Sequence, residues 1–460
     1  MPAHHPNHPL IIIINMAVSE GVGSLRLPSN STFRPSITHG FSYTGPLSIE
    51  TAQESSFQEK IIPSNGMTSD PYEFVFEPMG DSYLDMSTIH MYAKLKIVKL
   101  DGTEVDNRFD VAPVNNLLNS MWRTIETKVN NVTVNPAASY NIPYKSMMEN
   151  VIGIENTLNH YLVSSMFVMD TPAKYDTMSE ENVGYMRLAR LCTQNEQSSY
   201  NFDICGPFCN DFIRSDKHLA PGNKLAFRFT RASDEFCLLS KTDEKYKLLI
   251  TDICLYGTRI RLFPHAQKEI IKEGKPDVYS CMHSEIKEFP LPAGVKQWNL
   301  KITNGSTLPK HIIVGFVLTE AHVGSYKKNP FNFQNFKLNR MNLKQDGRRY
   351  PQEPLRPDYE NGMFAREYNH LFMNTGKYRI NSGNCISLEA FKDGMNLYSF
   401  DNNPDSCYMV HKHVGKDGSM EVEPGWAAGL EESITAIVYL NYDEVITLEG
   451  SAGTPNVEVF

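Results

Sequence analysis

Along most of this chain, apolar and polar residues alternate. Ile89, Met91, Ala93, Leu95 and Ile97 are interleaved with His90, Tyr92, Lys94 and Lys96, the period-two pattern of a strand with one face in a core and the other in water. Thr124 to Val129 repeats it, with Ile125, Thr127 and Val129 opposite Glu126 and Lys128; Asn130-Asn131 then reads as a two-residue turn and Val132 to Val134 as the return strand. Pro143 opens a predicted helix whose Tyr144, Met147, Met148, Val151 and Ile152 share one face. Leu248 to Leu262 predicts another strand, in which Gly257 signals a bulge. Trp298, Leu300 and Ile302 alternate with Gln297, Asn299, Lys301 and Thr303, and Ile312 to Leu318 is a continuous apolar run of buried-strand length. Leu397 to Phe400, Tyr408 to His413 and Ile434 to Leu448 complete the predicted strands, with Ile437 and Tyr439 on one face of the last.

The stretch from Tyr326 to Tyr378 repeats an earlier succession. Phe336 to Gln345 predicts a strand, Asp346-Gly347 is a type I′ turn signal, and Arg348 to Pro351 is the return strand. Pro354 and Pro357 are expected to stop the pairing, because proline has no N–H to donate. Asp358 is the expected N-cap of a helix that places Phe364, Tyr368, Leu371 and Phe372 on one face. Strand, tight turn, return strand, proline, helix: the same order runs through Thr124 to Ile152, about two hundred residues earlier, with little residue identity. A pattern repeat of this kind implies two copies of one β-domain in tandem. Many short strands with few helices predict an all-β fold of sandwich or jelly-roll domains with short helices in the loops.

The expected division is an irregular N-terminal arm (residues 1–70), a first domain (71–264) with a long polar, loop-like insertion (155–247), a charged connector (265–278) holding a helical turn or two, and a second domain (279–460). Within the arm, the apolar run Leu10 to Ile14 is far short of the about 20 residues a spanning helix needs, so no membrane insertion is expected. Met16 is an alternative start.

Composition narrows the chemistry. With 460 residues, 41% hydrophobic and 21% charged, the chain has room for two cores. A net charge of -9 argues against strong direct nucleic-acid binding through massed Lys and Arg. Eight cysteines without a Cys-x-x-Cys pair read as reduced thiols. Cys205-Gly-Pro-Phe-Cys209 lacks a second ligand pair, and His411 and His413 lack a third ligand, so no metal or cofactor is expected. Gly-x-x-x-x-Gly-Lys-Ser/Thr, His-Glu-x-x-His, Gly-x-Ser-x-Gly and Gly-x-Gly-x-x-Gly do not occur, and no catalytic residue is assigned. Phe331, Phe333 and Phe336 are expected in a core, with a carbohydrate-stacking platform or an interface anchor as alternatives.

On these residues the chain resembles a known family. Tyr326-Lys-Lys-Asn-Pro-Phe-Asn-Phe, Arg356-Pro-Asp-Tyr-Glu-Asn-Gly362, Arg366-Glu-Tyr-Asn-His-Leu-Phe372, Thr375-Gly-Lys-Tyr378 and Tyr398-Ser-Phe-Asp401 look like the second half of the double jelly-roll major capsid proteins of Maverick/Polinton elements and adintoviruses. Leu117-Leu-Asn-Ser-Met-Trp122, the Ile125 to Val134 hairpin and Tyr144-Lys-Ser-Met-Met-Glu149 fit the first half. The resemblance covers roughly Phe74 to Leu448. It implies two tandem antiparallel eight-stranded jelly rolls and homotrimers that form pseudo-hexameric capsomers. These tile an icosahedral shell around double-stranded DNA, with a penton-like minor capsid protein at the vertices, so the location is the virion, with nuclear assembly possible. The residues expected to carry structural or interface roles are Phe331, Phe333, Phe336, Asp346, Gly347, Tyr359, Tyr368 and Phe372. Two other readings stand beside it: a tandem β-sandwich carbohydrate-binding or hydrolytic protein, and a capsid-like protein taken over by its host.

Overall fold

A computed structural model of the chain describes residues 52–66, 70–135, 141–153, 161–193, 200–215, 217–272, 276–378, 384–403, 415–448, 453 and 455–459. The first eight principal strands are β1 (Gln53–Ile61), β2 (Tyr72–Phe76), β3 (Tyr83–Lys99), β4 (Trp122–Val129), β5 (Val132–Asn135), β6 (Tyr200–Gly206), β7 (Leu225–Arg231) and β8 (Tyr246–Leu262). They form two four-stranded antiparallel sheets in the orders β1-β8-β3-β6 and β2-β7-β4-β5. The next eight are β9 (Asp277–Leu291), β10 (Leu300–Thr307), β11 (His311–Leu318), β12 (Leu338–Gln345), β13 (Arg348–Leu355), β14 (Leu397–Asp401), β15 (Asp417–Val422) and β16 (Ile434–Leu448). Their sheets run β9-β16-β11-β14 and β10-β15-β12-β13. Each strand of the second set takes the place of the strand eight before it. The fold is therefore two tandem jelly rolls with one strand path, as the pattern repeat implied. The repeated hairpins are β4-β5 and β12-β13, followed respectively by α1 (Ile142–Gly153) and, after α2 (Val183–Cys192) and α3 (Pro264–Lys272), by α4 (Ala365–Asn374).

Several boundaries differ from those expected. The first roll begins within the segment read as an arm: β1 is its first strand, paired along its length with β8. Its residues are exposed on both faces, so the sequence QESSFQEKI carries no hydrophobic alternation. The segment 155–247 is not one loop, because it holds α2 and two strands of the sheets, β6 and β7. Both alternate: Tyr200, Phe202 and Ile204, then Leu225, Phe227 and Phe229, are buried. The return strand does not end at Pro351 and Pro354 does not stop the pairing: β13 runs through both to Leu355, two residues before Pro357, as an edge strand where a missing N–H interrupts nothing. The connector opens with the helix α3, and its last residues, Asp277 and Val278, already belong to β9. Gly257 sits where the β3 register slips, as a bulge requires, and a side chain there would meet the Phe76 ring at 2.9 Å. The Tyr408 to His413 strand, and with it His411 and His413, lies outside the described residues.

The second roll encloses its own core, in which Ile302, Ile312, Val314, Phe316, Met341, Leu343, Val422, Val438 and Leu440 meet. All eight residues of β11 are buried. The alternate residues Ile313 and Val317 pack into the first roll's apolar cluster, as do Ile437 and Tyr439 of β16. This sheet is covered on both faces, which is why Ile312 to Leu318 reads as an unbroken apolar run.

Candidate assembly site at the seam between the rolls

Where the rolls meet, α1 lies against the outer face of β9 and β16. Its Tyr144 ring is ringed by Phe236 (6.0 Å), Phe331 (5.9 Å) and Phe333 (6.1 Å) edge-on, and by His322 stacked at 5.6 Å. Gly315 of β11 lies under Phe333, so closely that a β-carbon there would approach the ring to 2.6 Å. The helix was expected to be amphipathic, but ten of its twelve residues are buried, Lys145 among them.

The charge of Lys145 is met by Asp211 at 2.6 Å, and the second oxygen of Asp211 accepts from the Ser284 N–H of β9 at 2.9 Å. One turn along the helix, Glu149 accepts from Arg214 (2.6 Å), from the Cys209 thiol (3.3 Å) and from the Tyr439 hydroxyl of β16 (3.2 Å). Burial acts to raise the Glu149 carboxyl, but Arg214 and Lys145 outweigh it and hold it below the usual carboxylate range. His283 lies 3.3 Å from Glu285 and 3.6 Å from Glu444. Burial acts against its charged form, yet these two carboxylates leave its proton more tightly held than in water. Burial raises Glu444 itself. Buried charges need partners of opposite sign and full hydrogen bonding; here each ion pair lies within one roll, and the other roll adds hydrogen bonds to it, from Ser284 N–H to Asp211 and from the Tyr439 hydroxyl to Glu149.

A second contact is a strap, Tyr326 to Asn332, that leaves the second roll and lies on the first. The Tyr326 hydroxyl donates to Tyr246 O (2.6 Å), and Ser240 N–H donates to Tyr326 O (2.8 Å). Asn329 N–H donates to Asp176 at 2.7 Å, while its side-chain amide reaches Asp170 and Tyr175 O, both at 3.2 Å. Asn332 donates to the other Asp176 oxygen at 2.9 Å. Burial raises the Asp170 carboxyl to about 7, against which its hydrogen bonds from Asn182 and Asn329 act. Beside the strap, Gly394 presses on the ring of Tyr175, leaving no room for a β-carbon.

The predicted interface residues divide. Phe331 and Phe333 are at the seam with no exposed surface, which removes the stacking-platform reading for them. Phe336 packs instead against the second roll's core. Asp346 and Gly347 form the distal β12-β13 turn, both with positive φ, and Asp346 accepts from Ser419 N–H (2.8 Å). Tyr359 meets Tyr398 hydroxyl to hydroxyl at 2.6 Å, and Asn396 donates to it at 2.7 Å. Tyr368 donates to Ile386 O (2.9 Å) and stacks edge-on with the half-buried Phe372 at 5.0 Å. These three rings brace the loops after β13. Asp358 does not cap α4, whose N-cap is Phe364; it closes a turn by accepting from Asn361 N–H at 3.0 Å. Cys209 is buried at the seam, whereas Cys205 lies on β6 opposite Tyr92. Sequence reading missed Lys145, Glu149, Asp170, Asp176, Asp211 and Glu444. One signal was available for Lys145, a lysine set among the apolar residues of a helix.

No protein-family model matches the chain. An uncharacterized protein of Caenorhabditis elegans is 22% identical over 405 residues, which span 82% of this chain and 91% of that protein. Among solved structures, the fold is similar to that in viral capsids. A chain of the Sputnik virophage determined by cryo-EM superposes with a TM-score of 0.63 at 10% identity, covering 94% of each chain. The mavirus major capsid protein gives 0.54 at 10% identity over 94% of this chain and 97% of that one, and the Faustovirus major capsid protein 0.54 at 8% over 87% and 92%. The likeness runs through both rolls and extends the agreement from one jelly roll to the tandem pair.

Proposed function

We propose that the chain is a major capsid protein of the Maverick/Polinton and adintovirus kind. In this reading three copies form a pseudo-hexameric capsomer, capsomers tile an icosahedral shell around double-stranded DNA, and a penton-like protein occupies the vertices. The observation that carries it is the pair of rolls with one strand path, joined by a seam in which buried carboxylates of the first roll, Asp211 and Glu149, accept hydrogen bonds from the second. Such a seam fixes two near-equivalent units in one orientation, so three chains supply six similar wall elements, and cyclic closure avoids open fibres. The likeness to capsid chains over nearly the full length supports the same reading. The acidic balance suits a shell that leaves DNA condensation to other proteins. A host-adopted capsid-like protein is the second reading, favoured by the nematode relative. Light scattering with electron microscopy of the purified chain tests the proposal. It requires particles near three times 52.2 kDa with a hexagonal outline, and a stable two-lobed monomer overturns it.

A further inference from the structure

The seam inside the chain has two halves: the outer face of the sheet β9-β16-β11-β14, and the helix α1 between the fifth and sixth strands of the other roll. Each roll owns one of each half. The internal seam uses the sheet face of the second roll and the helix of the first. Among the described residues, it leaves the outer sheet face of the first roll and the outward face of the second roll's helix α4 uncovered.

Both uncovered halves have the character of contact surfaces. On the first roll the register sets three rows across the outer sheet face: Lys60, Tyr256 and His90; Cys254, Tyr92 and Cys205; Asp252, Lys94 and Asp203. His90 and Tyr256 stack at 5.4 Å. The centre is thus aromatic and the rim charged, the arrangement in which interface binding energy concentrates. On the second roll, α4 turns Glu367, Leu371 and Asn374 inward, while Arg366, Asn369 and Met373 face out. Met373 is 49% exposed and Met363, just before the helix, 63%. The equivalent helix α1 is buried on nearly every side.

We infer that the outer sheet face around Tyr92 and Tyr256 receives the α4 face around Met373 of a second copy of this chain. The occupant follows from the internal seam, which already displays the same sheet-to-helix contact between the equivalent elements. The contact is heterologous, and repeated around a closed ring of three chains it alternates with the internal seam to give six joins. The basic Arg366 then comes to a face that carries Asp203 and Asp252. This inference rests on the capsomer reading.

The experiment uses the full chain and two variants, Tyr92→Asp on the sheet face, where the ring is half-buried, and Met373→Asp on the exposed helix face. Wild type is expected at three times the chain mass, and each variant alone at one chain mass with an unchanged circular dichroism spectrum. Each variant keeps one good half, so an equimolar mixture is expected at twice the chain mass and no higher. Variants that remain at three chains, or a mixture that stays monomeric, overturn the pairing of these surfaces while the trimer stands. A monomeric wild type overturns the capsomer reading itself. A photo-crosslinking residue at Met373 gives a readout independent of the variants' folding: it is expected to link to peptides containing Lys60, Tyr92 or Tyr256 of another chain, and links elsewhere only overturn the inference.

Discussion

Lys145 Nζ and Asp211 Oδ1 lie 2.6 Å apart, with 1% and 2% of their side chains exposed. Removing one partner of a buried ion pair leaves the other charged without solvent, at a cost of about 3–5 kcal/mol. Asp211→Ala is therefore expected to lower unfolding free energy by about that much in urea titrations. It also frees the Ser284 N–H on the other roll. Replacing both charges, Lys145→Met with Asp211→Leu, is expected to cost less than Asp211→Ala alone, because no unpaired charge remains. Equal losses in the two proteins sink this account of the seam.

Two glycines invite the same substitution for different reasons. Gly347 has φ +81° and open space around it, so Gly347→Ala incurs only backbone strain, about 1–2 kcal/mol. Gly394 has φ +125°, and a β-carbon there falls 2.0 Å from the Tyr175 ring. Tyr175 shares its loop with Asp170 and Asp176, so displacing the ring disturbs the strap as well. Gly394→Ala is expected to cost about 3 kcal/mol or more and to speed amide exchange at Asn329, which Gly347→Ala leaves unchanged.

How much of this was legible in the sequence depends on how many faces each element buries. Strands with one wet face, such as Ile89 to Ile97, declare themselves by alternation, and the Asn130-Asn131 and Asp346-Gly347 turns by residues that tolerate positive φ. β1 was hidden because both its faces are largely exposed, and the side chains that join it to β8, such as Glu59 accepting from Arg259 at 2.7 Å, leave no hydrophobic alternation to read. The seam was hidden for another reason. Asp170 and Asn329, or Glu149 and Tyr439, look like ordinary polar residues until the fold brings them together across 159 and 290 positions. Phe331 and Phe333 were found as a buried aromatic block, but nothing local said that they bury against the other roll.

The strap is expected to respond to pH through Asp170. In the unfolded chain its carboxyl titrates at its ordinary value of 3.8, whereas burial raises it to about 7 in the folded protein. Between these values the folded state holds a proton that the unfolded chain has released. Stability therefore falls as pH rises through this window and levels off above the folded value. Raising the carboxyl from 3.8 to about 7 corresponds to about 4 kcal/mol. Burial also raises Asp176 and Glu444, while Glu149 and Glu285 are lowered, so the wild-type profile sums opposing slopes. The informative quantity is the difference between wild type and Asp170→Asn, an uncharged side chain of the same shape. The protonated acid keeps an acceptor lone pair on each oxygen, whereas the amide has one acceptor oxygen and cannot accept from both Asn182 and Asn329, so the variant is expected to be the less stable protein near pH 4. Its deficit should shrink steadily toward pH 7, where the wild type has ionised a buried acid and the variant has not. Urea midpoints measured at half-unit steps from pH 4 to 8 provide the test. Two parallel profiles exclude Asp170 as the titrating group of the strap.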